Sequence, residues 1–79
     1  MKRYSLSLRI YRNTGVVDEE LANAKLGTYF RKKRAINLIK KLSPKAEYIW
    51  DDPFVIHYKY VDRELGYTLY YTIHKIELF

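Results

Sequence analysis

"FVIHYKYVDRELGYTLYYTIHKIEL", residues 54–78, decides the fold. Phe54, Ile56, Tyr58 and Tyr60 alternate with Val55, His57, Lys59 and Val61. A period of two marks a strand with two unlike faces. "DRELG" (62–66) interrupts it with charge and with Gly66, which suits a left-handed backbone. The alternation resumes through "YTLYYTIHKIEL" (67–78), so the stretch predicts an antiparallel hairpin. One register brings the apolar sets together. In it Asp62 faces Tyr67, Tyr60 meets Leu69, Tyr58 meets Tyr71 and Ile56 meets Ile73. A slip of one residue would mix core and solvent positions, so a one-sided core demands this pairing. His57 then faces Thr72, with His74 on the diagonal.

Other segments add strands. "YSLSLRIYR" (4–12) places Tyr4, Leu6, Leu8 and Ile10 on one face and Ser5, Ser7, Arg9 and Tyr11 on the other. "RNTG" (12–15) reads as a turn, and "AEYIW" (46–50) as a short strand closed by the turn "DDP". Residues 16–30 allow two readings. Asp18 is a candidate helix cap, with Glu19 and Glu20 in a first turn. The favoured reading is a strand over 24–30. It groups Ala22, Ala24, Leu26, Thr28 and Phe30 against Asn23, Lys25, Gly27, Tyr29 and Arg31.

"RKKRAINLIKKL" (31–42) has the period of a helix. Ala35, Leu38, Ile39 and Leu42 form a stripe widened by Ile36, and Lys33, Arg34, Asn37, Lys40 and Lys41 point away. Pro44 disfavours helical geometry at Ser43 and ends the helix. The expectation is one α+β domain over residues 1–79. An antiparallel sheet of four or five strands carries one main helix on one face, as β-β-α-β-β-β, or β-α-β-β-β if the second strand fails.

Composition sets limits. A chain of 79 residues holds one small core and little excess stability. Hydrophobic residues at 48% and charged residues at 30% fit a globular domain, and the nine Tyr lean toward sheet. With no Cys there is neither a disulfide framework nor a Cys-based zinc site. No stretch approaches the ~20 apolar residues of a membrane span. No cofactor or membrane is expected, and the location expected is cytoplasmic, or the interior of a virus or mobile element. The net charge of +6 is unevenly spread. Residues 1–45 carry twelve Lys/Arg and three Asp/Glu, and residues 46–79 carry three and six. One positive side follows if the two halves occupy different surfaces.

Two surfaces are candidates for function. Arg9, Arg12, Lys32, Lys33, Arg34, Lys40 and Lys41 are placed to neutralise phosphates. The sheet face away from the helix carries Tyr11, His57, Lys59, Tyr70 and His74, the kind of aromatic and basic platform on which single strands stack. The bland reading of both is a solvated face, since Tyr and Thr are good strand formers and Lys40 and Lys41 suit the negative end of a helix. His57 and His74 make a two-residue start toward a metal site without a third ligand, so no metal is expected. No nucleophile pattern or Gly-rich phosphate loop is present. A small ribonuclease using His57, His74, Arg9, Lys59 and Tyr70 is the remaining enzymatic reading.

"KLGTYFRKKRAINLI" (25–39) resembles the strand-to-helix junction of integrase arm-binding DNA domains through Leu26, Gly27, Thr28, Tyr29, Phe30 and Ala35. The resemblance implies DNA read by strands that precede the helix, whereas three strands are expected to follow it here. The functional expectation is a small, basic, non-enzymatic binding protein with nucleic acid as the favoured ligand. The alternative is a protein–protein or inhibitor module, or a homodimer, anchored by aromatics such as Trp50, Tyr70 or Tyr11.

Overall fold

The computed structural model describes residues 2–13 and 18–77. Two strands, β1 (Lys2–Asn13) and β2 (Asp18–Tyr29), precede helix α1 (Lys32–Leu42). Strands β3 (Glu47–Asp51), β4 (Val55–Asp62) and β5 (Tyr67–Glu77) follow it. All pair antiparallel in one sheet of order β2-β1-β5-β4-β3. The α+β class with five strands is thus the one the alternation implies. Arg12 and Asn13 continue β1 rather than starting the expected turn at 12–15, and the rest of that turn lies outside the described residues. Among the described residues, no helix is long and apolar enough to cross a membrane.

The β4–β5 register is the one the one-sided core demands. Asp62 pairs with Tyr67, Tyr60 with Leu69, Tyr58 with Tyr71 and Ile56 with Ile73. Gly66 sits at φ 73° and its N–H donates to the Asp62 carbonyl at 2.9 Å. A side chain there would meet the left-handed penalty. β1 adds its apolar residues to the same face, pairing Leu6 with Ile73 and Leu8 with Tyr71.

β2 departs from expectation in length and in sidedness. It begins at Asp18, so that residue opens a strand and caps no helix. Register shifts opposite Leu6/Ser7 and Ile10/Tyr11 leave Leu26 and Leu21 as extra residues. Each β-bulge adds a residue and reverses the alternation beyond it. Thr28 therefore faces Ser5, and Tyr29 faces Tyr4 and packs on the core. The grouping of Thr28 with Ala22, Ala24 and Leu26 fails for that reason.

α1 covers the apolar face. Ala35 and Ile39 are fully buried with Leu6, Ile56, Tyr71 and Ile73. Leu42, expected in the stripe, is 53% exposed. The inward position one turn beyond Ile39 belongs instead to Ser43. Its hydroxyl meets the Tyr71 hydroxyl at 2.8 Å in the core, and its N–H closes the helix on the Ile39 carbonyl. Lys40 Nζ donates to the Ala46 carbonyl at 3.0 Å and ties the helix end to the start of β3.

Ser43→Ala would leave the Tyr71 hydroxyl buried without a partner, at about 1–3 kcal/mol. Urea unfolding followed by circular dichroism should show that loss. The double variant S43A/Y71F should lose less than the sum of the two single losses, and strict additivity would dismiss the bond.

Candidate nucleic-acid interface

The face of the sheet away from α1 is built from cross-strand rows. One row runs Arg9 (β1), Tyr70 (β5), Lys59 (β4) and Glu47 (β3). The next runs Ser7, Thr72, His57 and Trp50. With strands about 4.8 Å apart, each row is about 14 Å long. Tyr70 lies between two cations, Arg9 and Lys59, and the Lys59 ammonium is 5.6 Å from its ring centre. Tyr11 meets Tyr70 edge to face at 5.4 Å. Thr72 Oγ1 lies 3.2 Å from His57 Nδ1.

Trp50 reaches this face because of a bulge. β3 pairs Tyr48 with Tyr58 and then Trp50 with His57, leaving Ile49 unpaired. Strict alternation would put Trp50 on the same side as Tyr48. The extra residue separates them. Tyr48 packs edge-on against Tyr58 on the helix side at 5.8 Å, and Trp50 stands 4.5 Å from His57 on the open side. Trp50 remains 46% exposed, so its indole is available to a ligand. Sequence reasoning named Trp50 only as an anchor for a protein partner, because nothing in "EYIWD" announces the bulge.

Two adjoining shallow depressions cover the face. Arg9, Tyr11, Asp18, His57, Tyr70 and Thr72 line one of about 350 Å³. The other, about 660 Å³, includes Glu47, Trp50, His57, Lys59 and Tyr70. His57 and Tyr70 form the ridge they share. The other half of the face is different. Ser5 is only 6% exposed despite its place there, and His74 is exposed diagonally from His57. No cluster of three potential metal ligands occurs among the described residues. At the far end Arg3 lies over the Phe30 ring at 3.9 Å.

The structure divides the basic residues anticipated as one surface. Arg9 belongs to the open face. Arg12 follows the alternation of Leu8 and Ile10, pairs with Tyr67, and stands on the helix side. Lys32, Lys33, Arg34, Lys40 and Lys41 are exposed on α1, across the sheet from Tyr11, His57, Lys59, Tyr70 and His74. Lys40 is engaged within the fold.

The β3–β4 turn holds Trp50 against His57. Asp52 Oδ1 accepts the N–H groups of Phe54 at 2.7 Å and Val55 at 2.8 Å. Lys75 Nζ donates to the Asp52 carbonyl at 2.7 Å and lies 3.9 Å from the Asp51 carboxylate. The Phe54 and Val55 amides, with Lys75 and His57 adding to them, hold the Asp52 carboxyl below its ordinary value of 3.8. No protein-family model matches this chain, no curated protein matches its sequence, and no solved structure matches its fold.

A lowered pKa in the folded state means that the Asp52 contribution is complete above pH 3.8 and is lost as the pH falls through the folded value. Asp52→Ala should therefore lower the melting temperature at pH 7 and change Trp50 fluorescence. The deficit should shrink as acid protonates the wild-type carboxyl. Equal deficits at pH 7 and pH 2 would rule out the carboxylate as the cause.

Proposed function

We propose that this protein binds single-stranded nucleic acid on its open sheet face. The observation that carries the reading is the ring series Trp50, His57, Tyr70 and Tyr11. It crosses four neighbouring strands, with Arg9 and Lys59 flanking the central Tyr70. Unpaired bases stack on aromatic side chains whatever their sequence, and cations beside the rings hold the phosphates. Trp50 with His57 takes one base in the larger depression. Tyr70 with Tyr11 takes its neighbour in the smaller. Arg9 and Lys59 neutralise the linking phosphates, and Thr72 and Ser7 offer hydroxyls to base edges or sugars. This chemistry is binding, without a reaction.

A second reading rests on a separate observation. Every residue of edge strand β3 is exposed, including Tyr48, Ile49 and Trp50. An unpaired edge with apolar side chains suits a protein partner that adds a strand. The two readings differ in their response to salt, since phosphate contacts weaken steeply as salt rises and apolar strand addition does not.

Fluorescence anisotropy with labelled single-stranded RNA and DNA tests the first. Tyr70→Ala and Trp50→Ala should each weaken binding by about 1–3 kcal/mol, the worth of one stacked base. With two phosphates held by Arg9 and Lys59, log K should fall with log salt at a slope near −1.4. Wild-type binding unchanged in both variants would end the proposal.

A further inference from the structure

We infer that the exposed side of α1 is a second, separate nucleic-acid surface, for the backbone of a duplex, so that one molecule bridges a single strand to a duplex. The bridge rests on the sheet-face reading above, whereas the duplex surface stands without it. From Leu21 to Ala46 there is no Asp or Glu, and Lys/Arg account for eight residues. Part of that charge serves the fold. Lys40 and Lys41 lie at the negative end of the helix dipole, and Lys40 bonds to the Ala46 carbonyl. Arg31, Lys32, Lys33 and Arg34 have no such reason. They crowd the positive end of α1, which has no acidic residue in its first turn and no side-chain cap. Four cations there oppose the dipole and repel one another, so they weaken the helix that covers the core. No ion pair involves them among the described residues.

Charge complementarity selects the partner. An 11-residue helix is about 16 Å long, and a duplex presents one charge per ~1.7 Å along its axis. Arg31 to Arg34 at one end, with Lys41 and Lys45 toward the other, match such a rigid, dense polyanion. The buried side of α1, formed by Ala35, Ile39 and Ser43, fixes the direction of this surface. It faces away from Trp50 and Tyr70 across the full thickness of the sheet. A single bound segment cannot occupy both surfaces, so the two act independently.

The test uses beads carrying a single-stranded oligonucleotide, a labelled duplex in solution, and the full chain, with a light-scattering mass measured in parallel. Wild-type protein should draw duplex onto the beads, and beads alone should not. The variant K33E/R34E/K41E should lose duplex capture and at least tenfold in duplex affinity, while single-strand affinity stays within twofold. Its melting temperature should stay close to that of wild type, because the relief of like charges at the positive helix end offsets the loss of Lys41 from the negative end. K33Q/R34Q/K41Q gives the same reading without charge reversal. Undiminished capture by both variants would overturn the proposal, as would a free protein that binds no duplex at low salt. Binding to vesicles containing phosphatidylserine in place of duplex would reassign the surface to lipid. Loss of single-strand binding alone, with duplex affinity still sensitive to the helix charges, would sink the sheet-face reading and the bridge together. The duplex surface would remain.

Discussion

One short helix must seal one face of a five-stranded sheet, and the rest of the structure depends on how it is held there. Ala35 and Ile39 fill the centre against Leu6, Ile56, Tyr71 and Ile73. Just past its end, Ser43 gives Tyr71 a buried hydrogen-bond partner. A tyrosine is large enough to fill this small core, but its hydroxyl needs that partner when dry. The helix end, the central strand and the start of β3 are thereby fixed to one another. In a chain with so small a core, this one polar contact carries more weight than it would in a larger domain.

The sealed face leaves the other face open, and bulges decide what stands on it. Ile49 in β3 moves Trp50 to the open side, and Leu26 in β2 reassigns Thr28 and Tyr29. Both bulged strands lie at the edges of the sheet, where an unpaired residue disturbs the fewest ladder bonds. The central strands β1, β5 and β4 keep strict register, and they position Arg9, Tyr70, Lys59 and His57. Rigid centre and adjustable edges together make a ringed platform with two shallow depressions.

The charge asymmetry along the chain becomes a division between sides. The helix side carries dense positive charge. The open face mixes Arg9 and Lys59 with aromatic rings and with Glu47. In the proposed function, stacking carries binding on one side and counterion release on the other, so the two surfaces would differ in salt dependence and in the state of nucleic acid they favour. The proposed bridging follows from that physical separation.

The sequence by itself determined the strict strands, the hairpin register, the helix and the class of the fold. Each is a local periodicity whose one-sided burial leaves a single consistent arrangement, as the pairing of Ile56 with Ile73 illustrates. Six of the open-face residues, Arg9, Tyr11, His57, Lys59, Tyr70 and His74, were legible by the same parity rule. The tertiary structure alone decided the strand order, the sidedness of β2, the inward place of Ser43 in preference to Leu42, and the arrival of Trp50 beside His57. It also separated Arg9 from the helix cations. Bulges and side assignments are settled by which backbone groups find partners across strands distant in sequence, and no local pattern of residue types records that choice.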